Sequence, residues 1–276
     1  MVFGGRGTDV KVTSDDPRSY PENRLLGEHR HPSAPVPPAG MAQVWIDFDG
    51  TITRRDVLDD LIQRFAVSDS WKLIEERWQA GIIGSRECLS EEFSLIRIGK
   101  DQLAEFLEGV AVDPGLNRLL DTLGKYRVPV AVLSDGIDHF ISAVLARNGI
   151  TGIPIRSNTL EHRGKRLTLQ CPHASPDCSC AAAHCKCASA QALSQPGRKT
   201  IYIGDGRSDL CPARKANAVF AKAALAQALT REAIPFTPFT TLNDVAQTLE
   251  AAWSVASPKA PPRVEESNGL VTPRSA

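Results

Sequence analysis

The run AQVWI at residues 42–46 ends on Asp47-Phe48-Asp49-Gly50-Thr51. A short apolar stretch with β-branched and aromatic residues reads as a buried strand. A strand that finishes on two carboxylates puts two anions close together, and burial worsens their repulsion. The pairing makes sense where something cationic sits between the acids, or where one of them does chemistry.

Strands and helices alternate along the rest of the chain. Strand candidates are 42–46, 128–133, 200–203 and 218–221, and helical stretches include 137–146 and 242–253. Short buried strands alternating with helices indicate an α/β fold, a Rossmann-like parallel sheet with helices on both faces. Such sheets bind ligands at the carboxyl ends of their strands. The expected core is 41–53 plus 128–256, interrupted by a helical cap at 54–127. In that insertion Leu58, Leu61, Ile62 and Phe65 make one apolar face, Trp71, Ile74 and Trp78 a second, and Leu89, Phe93 and Ile96 a third, all at helical spacing. These residues are expected to form the cap's own core, and the cap to act as a lid.

Residues 1–40 are polar, rich in Pro, Gly, Arg and Asp, and read as a disordered extension, as does the tail 257–276. Met41 directly precedes the first strand and is a second candidate start of translation, which the intact mass of the natively expressed protein checks. The 32 Lys and Arg balance the 32 Asp and Glu, so no basic excess favours nucleic acid or an anionic membrane surface. No stretch is apolar for long enough to span a bilayer, and the first residues lack the apolar centre of a signal peptide. The expectation is a cytoplasmic protein; its oligomeric state is not legible. In that compartment the seven cysteines read as thiols or metal ligands rather than disulfides.

Four features fall at strand ends or helix starts: Asp47 to Thr51; VLSDG with Ser134; Lys186 opening KCASAQALS; and YIGDGRSDL with Asp205 and Asp209. Together they supply what phosphoryl transfer needs. Asp47 is a carboxylate nucleophile. Asp49 lies on the same side of an extended chain and serves as general acid and base. Asp205, Asp47 and the Asp49 carbonyl make an all-oxygen site suited to Mg²⁺, with Asp209 on the metal directly or through water. Ser134 and Lys186 hold phosphate oxygens, and Gly50, Gly136 and Gly206 let main-chain N–H groups approach the anion.

With the four motifs in this order, the chain over about residues 42–253 resembles the haloacid dehalogenase superfamily of phosphatases. The insertion after the first motif resembles the cap of the phosphoserine-phosphatase branch. Within that branch, CPHASPDCSCAAAHCKC at 171–187 is similar to a Cys-rich segment ending in Cys-Lys in the methionine-salvage phosphatases, which act on a 2-hydroxy-3-keto-5-methylthiopentenyl 1-phosphate. Gly204–Pro212 resembles a pattern of the phosphoethanolamine/phosphocholine phosphatases. The resemblance implies an Mg²⁺-dependent phosphatase of a small phosphorylated metabolite, with phosphoethanolamine, phosphocholine or phosphoserine as alternative substrates. It also assigns the phosphate-binding lysine to Lys186 rather than Lys165 or Lys199.

Three residues are candidates for substrate specificity. Asp135 either faces a substrate ammonium or caps the helix at 137–146. Asp56 either meets the leaving group or caps the first lid helix. Arg86 either reaches a substrate carboxylate or is solvated. The Cys/His cluster offers seven possible ligands of a structural Zn²⁺, Cys171, His173, Cys178, Cys180, His184, Cys185 and Cys187, its cysteines being otherwise oxidation-sensitive thiols. The rivals to hydrolysis are phosphoryl transfer to another acceptor and an inactive metal-binding regulatory protein.

Overall fold

A computed structural model describes residues 34–176, 178 and 181–256. The disorder expected for 1–33 and 257–276 falls outside them. The chain enters at β1 (Ala42–Ile46), then runs through α1 (Val57–Phe65), α2 (Ser70–Gln79), α3 (Ser85–Leu95) and α4 (Lys100–Glu108). After α5 (Leu116–Lys125) come β2 (Val130–Ile137), α6 (Asp138–Arg147), β3 (Ile155–Arg163) and β4 (Arg166–Gln170). The rest is α7 (Lys186–Leu193), β5 (Lys199–Gly204), α8 (Leu210–Ala213), β6 (Ala218–Ala221), α9 (Ala223–Arg231), β7 (Thr237–Pro238) and α10 (Leu242–Ala256).

Among the described residues these strands form one sheet in the order β4-β3-β2-β1-β5-β6-β7, parallel except for the β3–β4 pair. β1 is central, with Trp45 in register with Ala131 and Tyr202. Period two sends Val44, Ile46, Val132, Ile201, Ile203 and Phe220 into the core shared with α5, α6 and α10. Trp45, Ala131, Leu133, Tyr202, Val219 and Ala221 form the second core, with α8 and α9. Both faces are therefore dry, which is why the parallel strands read as continuous apolar runs.

The structure departs from the sequence reading in several places. β2 runs to Ile137 rather than stopping at Leu133, through a register shift between those two residues that carries Ser134 and Asp135 along the strand edge. The hairpin β3–β4, turning at Gly164 with positive φ, is not among the strand candidates of the sequence. Its turn and its His162 hold the cap: Ile98 N–H donates to the Lys165 carbonyl (3.0 Å), and the Ile98 carbonyl lies 3.0 Å from His162 Nε2. A bridge between Thr53 and Val112 closes the insertion. Beyond it α5, numbered within 54–127, packs on α10, where Glu250 meets Arg118 (3.0 Å) and Thr122 (3.0 Å). The end of the segment read as an extension is also packed: the Trp253 indole donates to the Pro37 carbonyl (2.9 Å).

Within the cap, Leu58, Leu61, Ile62, Phe93 and Ile96 are buried and continuous with the main core. Ile74 joins Ile83 and Cys88 in a small cluster with Trp78 against it. The cap's apolar residues thus only partly form a core of their own.

Candidate active site

The four sequence features meet at the carboxyl ends of β1, β2 and β5. Asp47 leaves β1 with its N–H bonded to the Ile203 carbonyl of β5 (2.9 Å). The chain then turns sharply at Gly50, whose φ is +70°, and a Cβ there would run into the Asp205 carboxylate. Only glycine fits both conditions. Thr53 ties the turn by accepting from Gly50 N–H (3.2 Å), and Thr51 Oγ1 donates to Asp205 Oδ1 (2.5 Å).

Lys186 opens α7 and is 3% exposed. Its Nζ donates to Asp47 Oδ1 (2.7 Å) and Asp209 Oδ1 (2.6 Å). The Tyr202 hydroxyl donates to the same Asp209 oxygen (2.6 Å). Asp209 Oδ2 accepts from the N–H groups of Asp205 (3.0 Å) and Gly206 (2.9 Å). Both Asp209 oxygens are engaged inside the protein, so in this arrangement Asp209 orients the lysine and the 205–206 turn.

Asp49 faces elsewhere. Its Oδ2 accepts from Ser134 Oγ (3.1 Å) and its Oδ1 from Val57 N–H (3.1 Å). Ser134 Oγ also accepts from Gly136 N–H (2.8 Å). Burial, reinforced by the charge of Asp56, pushes the Asp49 pKa up to about 8. Burial also raises Asp47, followed by the charge of Asp209 and opposed by Lys186. Asp205 rises to about 6, from burial and then Asp209. Burial disfavours the Lys186 ammonium, but Asp209 and Asp47 outweigh it and hold its pKa above the ordinary value.

Three acids around one buried lysine leave negative charge in excess. Carboxylate oxygens of Asp47, Asp205 and Asp209 lie within 4.8 Å of one another. An all-oxygen donor set of this charge fits a hard divalent cation such as Mg²⁺.

The remaining candidates separate. Asp56 caps α1, accepting from Asp59 N–H (2.9 Å). Arg86 is exposed, and its main-chain N–H reaches the Ala181 carbonyl (3.4 Å). Asp135 does not cap α6, which begins three residues later at Asp138. Its side chain accepts instead from Ser85 Oγ (3.0 Å) and His184 N–H (3.0 Å). Cys180 lies outside the described residues. Cys187 Sγ is 2.8 Å from Cys211 Sγ. Among the described residues the metal-capable groups are the Asp47 trio and Glu75, Cys88 and Glu92 in the cap; Cys171, Cys178, Cys185 and Cys187 join neither, so the arrangement lends zinc no support. Tyr202 and Ser85 are not among the residues the sequence marks, and His184 is marked only as a possible zinc ligand. A tyrosine inside a strand and a serine at a helix start carry no distinguishing signal.

The profile of the haloacid dehalogenase-like hydrolase family matches residues 44–214, and the chain belongs to that family. It is an enzyme, a hydrolase of the phosphatase type. Among its relatives is a 2-hydroxy-3-keto-5-methylthiopentenyl-1-phosphate phosphatase of Brevibacillus brevis, 26% identical over 210 residues, 75% of this chain and 94% of the relative. A phosphatase of the same name from Bacillus cereus is 29% identical over 207 residues, 74% and 93% of the two chains. Among solved structures, a haloacid dehalogenase family hydrolase of Salmonella enterica serovar Typhi superposes with a TM-score of 0.62 at 21% identity, over 79% of this chain and 74% of that one. A phosphoserine phosphatase solved as a phospho-aspartyl intermediate analogue gives 0.58 at 17% identity, over 75% and 98%. No helix among the described residues is long and apolar enough to cross a membrane.

Proposed function

We propose that this hydrolase removes phosphate from a small phosphorylated metabolite of the cytoplasm, with Mg²⁺ at the acid cluster and an aspartyl-phosphate formed on Asp47. The observation that carries the reading is the division between the first motif's two acids. Asp47 is paired with Lys186 beside Asp205, whereas Asp49 is held by Ser134 with a pKa of about 8. Burial raises Asp47 as well, but the Lys186 ammonium favours its charged form, as a nucleophile needs, whereas Asp49 faces a hydroxyl and has the environment of an acid still protonated near neutral pH.

In this reading the Asp47 carboxylate attacks phosphorus in line with the leaving oxygen. Lys186 and Ser134, with the Gly136 main chain beside them, hold the phosphoryl oxygens. Asp49 gives its proton to the leaving alkoxide, then takes one from the water that cleaves the acyl phosphate. When bound by Asp47, Asp205 and the Asp49 carbonyl, Mg²⁺ supplies positive charge that offsets the nucleophile and the phosphate. Asp209 keeps Lys186 and the 205–206 turn in place.

For the substrate we favour a methionine-salvage-type keto-sugar phosphate, the kind named for relatives that match three-quarters of this chain. A phosphocholine or phosphoethanolamine substrate would need a carboxylate open to an ammonium group. Both oxygens of Asp135 are already bonded to protein donors, which counts against it in that role.

Asp47→Asn tests the nucleophile. We expect kcat on p-nitrophenyl phosphate to fall by about 10,000-fold or more, with no loss of melting temperature because one buried charge is gone. Near-wild-type turnover would falsify the assignment. Comparing the keto-sugar phosphate with phosphoserine, phosphoethanolamine and phosphocholine then ranks the substrates.

A further inference from the structure

The geometry points to Asp135 as a positioning residue: with Ser85 of the cap it fixes the segment leading into Lys186, so that the place of the lysine depends on the docked cap. Asp135 follows Ser134 at the shifted edge of β2. Its Oδ1 accepts from His184 N–H (3.0 Å) and its Oδ2 from Ser85 Oγ (3.0 Å). Ser85 Oγ in turn accepts from Ala183 N–H (3.0 Å). Two successive main-chain donors, at 183 and 184, therefore end on one carboxylate from the sheet and one hydroxyl from the cap, and those two groups are bonded to each other.

The ring of His184 extends the arrangement. It is buried, and burial lowers its pKa to about 3, so it is neutral. Its Nδ1 lies 2.8 Å from the Ser134 carbonyl and must donate there, which leaves Nε2 to accept from the Ser189 hydroxyl (2.6 Å). The Asp135 carbonyl is pinned from the other side by Asn158 Nδ2 (2.6 Å). Two residues after His184, Lys186 reaches Asp47 and Asp209.

The cap side is equally close. A Cβ on Gly84 would run into Ala181, and Arg86 N–H reaches the Ala181 carbonyl (3.4 Å), so the start of α3 rests on the strap that carries the lysine. Lifting the cap removes the Ser85 hydroxyl from both Ala183 and Asp135. A carboxylate suits this place because it accepts on both oxygens, whereas an amide turns a donor toward one of the two. It also explains an acid beside the phosphate-holding Ser134: its lone pairs face protein donors rather than the substrate.

The proposal rests on Lys186 being the phosphate-holding cation. The test measures kcat for Asp135→Ala, Ser85→Ala, their double variant, Asp135→Asn and Ser85→Thr, on both p-nitrophenyl phosphate and phosphocholine. We expect each alanine variant to lose about tenfold on both substrates, the double variant to lose little more than the worse single one, and Ser85→Thr to stay within about twofold of wild type. Asp135→Asn, which keeps the shape and one acceptor, falls between wild type and Asp135→Ala. Losses that multiply, a loss confined to phosphocholine, or wild-type kcat in Asp135→Asn or Ser85→Ala overturns the proposal. If Asp135→Ala does not fold, the contrast between Ser85→Ala and Ser85→Thr decides. Lys186→Met separates the two levels: if it keeps turnover, the lysine assignment fails, and if it is inactive while Asp135 and Ser85 act independently, only this proposal fails.

Discussion

Two regions of this molecule bury clusters of acids, and they neutralise them differently. At the sheet edge Asp47 and Asp209 share the Lys186 ammonium, and Asp209 takes a tyrosine hydroxyl and two main-chain N–H groups as well. In the cap, Glu75 and Glu92 gather around Cys88. The nearby Arg77 is spent on Glu87 (3.1 Å) and Glu91 (2.9 Å) at the surface. Glu92 is 3% exposed, and burial followed by the charge of Glu75 pushes its pKa up to about 8. Asp59 rises to about 7, from burial and then Glu75. Burial raises acids in both clusters, but at the core the Lys186 ammonium opposes the rise of Asp47, whereas around Glu92 the charges of Glu75 and Asp56 add to it. A raised pKa therefore does not by itself mark the chemistry here; the set of partners does.

The comparison breaks most visibly at Lys186. Lys186→Met leaves Asp47 and Asp209 without their cation. We expect turnover to fall by about 100-fold or more and the metal-free protein to lose about 3 kcal/mol in a denaturant titration. A variant as stable as wild type would mean that the Lys186 ammonium does not offset the core acids.

The next effect is that of the metal. Mg²⁺ at about 100 times its dissociation constant should stabilise wild type by about 2.7 kcal/mol, and Asp205→Asn should abolish most of that shift. Equal stabilisation of Glu92→Gln and wild type places the ion in the core; a response lost with Glu92 instead places it in the cap.

The pH dependence of the metal-free protein sharpens the contrast further. Glu92 goes from 4.5 to about 8 and Asp49 from 3.8 to about 8. Acids with a folded pKa above the unfolded one bind more protons when folded, so stability falls as pH rises toward 8. His184, lowered from 6.5 to about 3, works the other way: its contribution is complete above 6.5 and is lost as pH falls below that. Between pH 6.5 and 8 the acids act alone. Melting temperature should drop across that window, each acid contributing at most about 1.4 kcal/mol per pH unit, and Glu92→Gln should flatten the slope. A melting temperature that rises over the same window would sink this account of the cap.

Smallest is Arg77→Ala. Its pairs are well exposed, so the loss should be about 0.5 kcal/mol. A much larger loss would show that Arg77 also compensates the buried cap acids.

Much of the fold was legible because the parallel strands are dry on both faces. β1, β5 and β6 stand out as apolar runs, and the ends of β1 and β5 deliver Asp47, Asp49, Asp205 and Asp209. The β3–β4 hairpin is not legible although its turn falls at Gly164-Lys165, because IRSNTLEHR intersperses polar and charged residues and forms no apolar run. α5 carries a strong apolar face, but periodicity says only that such a face is buried. Its packing on α10 across more than a hundred residues is a property of the sheet order.

The site divides along the same line. The sequence alone marked the candidate acids, because they sit at strand ends that local patterning reveals, and its resemblance to a known family singled out Lys186 at a helix start. Tertiary structure alone decided their partners: that Asp209 faces Lys186 and Tyr202 rather than solvent, that Asp49 leans on Ser134, and that Asp135 joins Ser85 and His184. These contacts join residues far apart in the chain and depend on how strands and cap are brought together. Local periodicity carries no record of that arrangement, which is set by the burial of both sheet faces and of the cap's apolar side.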